Sequence, residues 1–294
     1  MLKLLVLPRI YSKFFVYSKV MDSELSQKKE VSREELVVHY SLSFKYVCLL
    51  TVSCPFLALI VCFVTAYIFQ ANDIHETHCR VYNIIPSISA ITGISPQRYL
   101  WRISVAFHIG PRFIISAVYR AYHLKLINPL AQSEAQLKAQ LWLKTAFWLN
   151  VIETGSLCGV TYISNRENYP VHEKLFIVFM ISSLTHMLAC IKGIKAVAQT
   201  RNDMSHVRKG LQIKQMLLNI SLISTIGLVG FFLEHRLLCH RMAFSMFALC
   251  EYVIALANMA FHVTVILDFP TEHVIVAKGV VALNQNPKEF RKIE

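Results

Sequence analysis

Apolar residues run through this chain in six long stretches, parted by segments rich in charge and in turn-forming residues. The stretches are Lys45 to Phe69, Tyr99 to Tyr122, Leu141 to Ile163, Lys174 to Lys195, Ile213 to Leu233 and Ala243 to Asp268. Wound as helices rising 1.5 Å per residue, each is long enough to cross about 30 Å of hydrocarbon. The pattern predicts an all-α, polytopic membrane protein with six transmembrane helices in one bundle. The remainder divides into a flexible leader at 1–43, a first loop at 70–98 inside a membrane domain at 44–269, and a tail at 270–294.

Polar residues inside those stretches form a second pattern. The second stretch, YLWRISVAFHIGPRFIISAVYRAY, holds Arg102, His108 and Arg112. A central Arg costs roughly 2.5 to 3.5 kcal/mol on insertion scales, and each Leu, Ile, Val or Phe offsets only about 0.3 to 0.6. Arg102 lies near one end and can snorkel to the interface. Arg112 is deeper and needs a partner. His108 and Arg112 stand at i and i+4 on one helix face, with Pro111 between them to free local carbonyls.

The other stretches supply the partners. Glu251, Asn258 and His262 fall within roughly a 40° arc of the last helix at 100° per residue. Asn150 and Glu153 are spaced i, i+3 in the third stretch, and Ser182 and His186 are spaced i, i+4 in the fourth. The expectation is a polar centre in which Arg112 is balanced by Glu153 or Glu251. Such a centre fits three readings: a network that fixes helix packing, a hydrophilic pocket for a lipid headgroup or reacting ester, and a proton or ion path. In the pocket reading Arg102, Arg112 and Asn258 are headgroup-binding candidates, because guanidinium offers a bidentate charged donor. His108, Glu153, His186, Glu251 and His262 are then the catalytic candidates, an imidazole beside a carboxylate serving as general base.

Composition agrees with a membrane protein: 55% of residues are hydrophobic, 16% are charged, and the mean hydropathy is +0.46. The net charge of +12 is informative through its distribution. Most of the 30 Lys and Arg fall before the first stretch, between the second and third, between the fourth and fifth, or in the tail. Those are the segments Lys3 to Lys45, Arg120 to Lys144, Lys192 to Lys214 and Lys278 to Lys292. The three opposite connections hold only Arg80, Arg98, Arg166, Lys174, Arg236 and Arg241. Positive charge is retained on the cytoplasmic side, so both termini are expected there and the 70–98 loop in the lumen. Basic residues spread over juxtamembrane loops do not make a nucleic-acid patch.

Of eight cysteines, only Cys79 and Cys239 lie in non-cytoplasmic loops, which makes them the disulfide candidates if that side is a secretory lumen. No CxxC or HExxH spacing calls for a metal, no P-loop or dinucleotide fingerprint calls for a cofactor, and no GxSxG elbow is present on a suitable element. In the first loop, Ile84, Ile85, Ile88 and Ile91 are unusual for an exposed segment. They point to a loop that packs on the helix ends or dips into the interface.

Several blocks in order resemble a known family. They are THC at 77–79, PSISAITG at 86–93, PQRYLWR at 96–102, then His108, Pro111, Arg112 and Phe113, NVIE at 150–153 and TYIS at 161–164. His172 and Glu173, FIVF at 176–179, SSLTHM at 182–187, EY at 251–252 and NMAFH at 258–262 follow. The chain is similar over about Ser41 to Phe269 to the post-GPI attachment to proteins factor 2 family, within the wider FRAG, DRAM and SFK membrane-protein superfamily. The resemblance implies a multi-pass protein of Golgi and endoplasmic reticulum membranes that acts in lipid remodelling of GPI anchors. It implies the stage at which the lyso-anchor is reacylated with a saturated chain, as catalyst or as accessory factor. The implied partners are the GPI anchor or lyso-GPI lipid, GPI-anchored proteins and other remodelling enzymes. An intramembrane transporter or ion pathway and a structural membrane scaffold are the alternatives. The terminal RKIE loosely resembles a dibasic retrieval signal.

Overall fold

A computed structural model describes residues 4–7, 37–127, 134–199, 205–269 and 272–278. The leader cations from Arg9 to Arg33, and the tail from Lys288 with its RKIE end, lie outside the described residues.

One unit of the fold is a small antiparallel sheet of β1 (Leu4–Leu7), β2 (Val37–Ser43) and β3 (His273–Lys278), in the order β1-β3-β2. Strand β3 pairs Val276 with Leu4 on one side and with Tyr40 on the other, and β2 carries an irregularity between Val38 and Tyr40. The sheet is continued by Phe44, whose N–H donates to the Glu272 carbonyl at 3.0 Å and whose ring meets Phe269 edge-on at 5.1 Å. Residues 37–43 and 273–278, expected in a flexible leader and a tail, are therefore strands. VVHYSLS and HVIVAK are rich in β-branched and aromatic residues, which favour a pleated ladder.

The second unit spans Cys48–Asp268 and is helical. Its long helices are α1 (Phe44–Phe69, which begins in the first unit), α4 (Gln97–Leu126), α5 (Glu134–Tyr162), α6 (Tyr169–Gln199), α7 (Ser205–Leu238) and α8 (Ala243–Val263). Three short ones, α2 (Ala71–Ile74), α3 (Ile88–Thr92) and α9 (Val265–Asp268), complete it among the described residues. Each predicted stretch forms a helix. Among the described residues, four are long and apolar enough to cross a membrane: Phe44–Phe69, Tyr169–Ala198, Arg208–Leu238 and Ala243–Asp268. α4 and α5 match them in length but carry more polar residues, and those polar residues build the site described below.

Burial is arranged as a membrane demands. Ile223 and Ile226 are 71% and 74% exposed, while Glu153, Thr154, Lys214 and Ser221 are fully buried. α5 and α6 pack tightly because Gly159 lets Leu175 approach: a Cβ there would stand 2.9 Å from the leucine side chain.

The first loop is tied to α8 and its preceding turn. Cys79 and Cys239 are disulfide-bonded, with Cα atoms 5.5 Å apart. Ser245 Oγ accepts from the Ile84 and Ile85 N–H groups at 2.8 and 3.2 Å, and the Met242 N–H donates to the Tyr82 carbonyl. Ile91 is fully buried against Leu59, Cys62, Ala66 and Ile74, whereas Ile84 is 42% exposed. The loop thus packs on the helix ends through α3.

Candidate functional site

Arg112 projects from α4 into the gap between α5 and α8. Its Nη2 donates to Glu153 Oε1 at 2.6 Å and also to His262 Nε2, and its Nη1 reaches His108 Nε2 at 3.3 Å. The partner that sequence left open between two glutamates is Glu153. Both side chains are buried, Arg112 at 4% exposure and Glu153 at none. The guanidinium meets side chains from its own helix, α5 and α8, so the local carbonyls near Pro111 are not its observed acceptors.

Backbone carbonyls orient two of the three imidazoles, and the third, His262, has its Nε2 beside both Arg112 and Glu153 Oε1, 3.3 Å from the latter. His108 Nδ1 donates to the Thr51 carbonyl at 2.8 Å, which leaves Nε2 as the acceptor for Arg112. His186 repeats the arrangement: Nδ1 donates to the Ala146 carbonyl at 2.9 Å, and Nε2 accepts from Asn150 Nδ2 at 3.2 Å. His186 and His262 stack with ring centres 5.6 Å apart. Asn258 Nδ2 donates to Glu153 Oε1 and to Ser183 Oγ, each at 2.7 Å. Six of the sequence candidates, His108, Arg112, Glu153, His186, Asn258 and His262, thus meet in one centre. Two of its atoms, Arg112 Nε and Glu153 Oε2, have no hydrogen-bond partner among the described residues. A buried donor or acceptor left unused costs about 1–3 kcal/mol, so the centre keeps unspent capacity.

Donor atoms of Glu153, His186 and His262 lie within 4.8 Å of one another, a grouping able to hold a cation. The cation between Glu153 Oε1 and His262 Nε2 is the guanidinium of Arg112.

The other two candidates sit elsewhere. Glu251 Oε2 accepts from the Ile88 N–H at 2.8 Å, holding α3 onto α8. Arg102 donates to the Tyr162 carbonyl at 2.8 Å and to Glu167 Oε2 in the turn after α5. The Ser164 N–H and hydroxyl on Glu167, with Arg102 beside them, hold that carboxyl below its ordinary range. Arg102 is therefore engaged at the rim and not at the centre.

A cavity of about 110 Å³ adjoins the centre, with Arg112, His108 and Asn258 in a wall otherwise built largely by apolar residues such as Leu59, Val105, Phe179 and Ile254. A second, of about 260 Å³, is lined by Phe176, Leu228, Phe232, Phe244 and Phe247.

Sequence reasoning missed one buried pair. Lys214 Nζ donates to Asp268 Oδ2 at 2.7 Å, with side chains 1% and 2% exposed, and the Tyr119 hydroxyl lies against Asp268 and Cys190. From sequence Lys214 reads as a juxtamembrane topology charge. Its spacing of seven residues from Ser221, also fully buried, is the signal that it lies on the inward stripe of α7.

Comparison with known proteins adds a family. Residues 43–272 match the model of the Frag1/DRAM/Sfk1/Cwh43P N-terminal domain. The chain is 49% identical over 264 residues to a Drosophila melanogaster protein named post-GPI attachment to proteins factor 2-like, covering 88% of this chain and 79% of that protein. It is 32% identical over 238 residues to the Xenopus tropicalis protein named Acyltransferase PGAP2, covering 81% and 92%. It is 29% identical over 246 residues to the Caenorhabditis elegans post-GPI attachment to proteins factor 2, covering 81% and 90%. No solved structure matches.

Proposed function

From the premise that the chain belongs to the Frag1/DRAM/Sfk1/Cwh43 family of membrane proteins, with its post-GPI attachment to proteins factor 2 members, we propose that it remodels the lipid of GPI anchors. The stage is reacylation of the lyso-anchor with a saturated chain. The observation that carries this reading is the Arg112 centre, a buried guanidinium with a spare N–H in the wall of an apolar cavity. An amphiphile fits such a place: its chain takes the apolar space, and its phosphate or ester oxygen takes the charged donor. Arg112 and Asn258 then hold the headgroup side, while Glu153, His108 and His262 fix the guanidinium and His186 stacks on His262.

In this reading all six long helices cross the membrane, with α4 and α5 crossing because their polar faces are satisfied within the bundle. Two features favour a luminal first loop and cytoplasmic termini. The Cys79–Cys239 disulfide belongs in an oxidising compartment, and Lys192, Lys195, Arg208 and Lys209 cluster at the opposite helix ends. Golgi and endoplasmic reticulum membranes satisfy both.

Mass spectrometry of GPI anchors from cells lacking the protein tests the proposal. Accumulated lyso-anchor, cleared by re-expression, is the expected result; an unchanged anchor profile overturns it. Arg112→Lys keeps the charge but loses the planar fork, so it is expected to lower remodelling while protein abundance holds. A scaffold role predicts the reverse.

A further inference from the structure

Two residues that the polar centre does not use stand together where the two cavities meet. Ser89, His172, Phe176 and Glu251 line both cavities. Ser89 Oγ lies 2.9 Å from His172 Nε2, and His172 Nδ1 lies 2.7 Å from the Ile163 carbonyl. The carbonyl can only accept, so Nδ1 carries the proton and Nε2 offers its lone pair to the serine hydroxyl. Nucleophile, base and orienting group are thus in line, the geometry that activates a serine in acyl transfer.

The neighbourhood fixes both residues. α3 is held by the Ser87 hydroxyl, which accepts from the Ala90 N–H at 3.1 Å, and by Glu251 on the Ile88 N–H. The turn carrying Ile163 comes close to α3 because residue 93 is glycine. A Cβ there would stand 2.7 Å from the Ser89 carbonyl oxygen and 2.5 Å from Asn165 Oδ1. His172 is buried in the first turn of α6, its N–H donating to the Asn168 carbonyl at 3.0 Å.

We propose that Ser89, with His172 as its general base, takes a fatty acyl group from an acyl ester or thioester donor and passes it to the hydroxyl of a lysolipid. This rests on the lipid-remodelling reading and assigns its chemistry. Ser89 Oγ attacks the donor carbonyl carbon while His172 Nε2 takes the hydroxyl proton. The bond to the leaving alkoxide or thiolate breaks, and His172 returns the proton to that group, leaving an acyl ester on Ser89. The lysolipid hydroxyl then attacks this ester and gives its proton to His172. Ser89 Oγ leaves and recovers the proton, so the second half reverses the first. The phenylalanine-lined cavity receives the acyl chain, and the cavity bordered by Arg112 receives the acceptor.

The full-length protein in phosphatidylcholine vesicles tests this with two donors carrying an alkyne-tagged acyl chain, a phosphatidylcholine and an acyl-CoA. A tagged peptide containing Ser89 from one donor identifies the source and supports the proposal. Ser89→Ala is expected to abolish the adduct, and His172→Gln to slow its formation about a hundredfold or more. Ser89→Cys is expected to give a thioester that neutral hydroxylamine releases, and this variant guards against loss of folding in the alanine one. No adduct on the wild-type protein from either donor overturns the proposal, as does normal anchor remodelling by Ser89→Ala in cells lacking the native protein. That last result would leave the remodelling role standing, whereas unchanged anchors in those cells would remove the role itself.

Discussion

Arg112 meets Glu153 at 2.6 Å and Lys214 meets Asp268 at 2.7 Å, both pairs almost wholly buried, yet only the first borders either cavity. The Arg112 pair is embedded among three histidines and Asn258; it leaves Arg112 Nε and Glu153 Oε2 unused, as the Lys214 pair leaves Asp268 Oδ1. Around Lys214 the neighbours are the Tyr119 hydroxyl, Cys190 and the close backbone of Gly210, where a Cβ would stand 3.2 Å from Asp268 Oδ1. A buried ion pair is weak evidence of stabilisation, because desolvation offsets most of the attraction. What separates the two is their surroundings: Arg112 borders a cavity, whereas Lys214 and Asp268 join α7 to α9.

The largest effects come from breaking either pair by one partner. Arg112→Gln or Lys214→Met leaves a buried carboxylate without its cation and is expected to cost about 3–5 kcal/mol, read as loss of abundance and of thermal stability in detergent. At this level the two pairs behave alike, and a mild loss for Arg112→Gln would mean that the histidines already share the charge.

Gly93→Ala is expected to come next. Its Cβ would meet the Ser89 carbonyl and Asn165, forcing α3 and the 163–168 turn apart at a cost of about 1–3 kcal/mol. Remodelling should fall with little change near Lys214, which cysteine accessibility probes on α7 can monitor. Equal disturbance at both places would merge the regions that the comparison separates.

The smallest effect concerns the rim. Since the Glu167 carboxyl is depressed in the fold by Ser164 and then by Arg102, its contribution is full above the ordinary value of 4.5 and is lost as pH falls through the lower folded value. Hydrogen exchange in residues 164–168 should therefore rise on acidification below about 4.5, and Glu167→Gln should remove that pH dependence. A rise that survives the substitution would assign the effect to another group.

Much of the first centre was legible because helix geometry converts spacing into direction. His108 and Arg112 at i, i+4, and Glu251, Asn258 and His262 within one arc, announced inward faces on α4 and α8. Spacing alone does not give depth. Glu251 lies on the same face as His262, but its level in the bundle puts it on the Ile88 N–H and away from Arg112. The Lys214 pair stayed hidden because a lysine near the start of a helix and an aspartate at the end of one look like interface charges. Ser89 and His172 lay in recognised blocks, yet 83 residues separate them and only the fold brings them to 2.9 Å. The strands at 37–43 and 273–278 are too short to stand out beside six long apolar runs.

The most direct test neutralises each pair as a unit, so that no buried charge is stranded. Arg112→Gln with Glu153→Gln, and Lys214→Met with Asp268→Asn, are expressed in cells lacking the native protein, and anchor lipids are measured by mass spectrometry at matched abundance. The first double variant should leave lyso-anchor unreacylated, and the second should restore the normal profile. Normal anchors with the first, or the same defect in both at equal abundance, would contradict the assignment of the Arg112 centre as the working one.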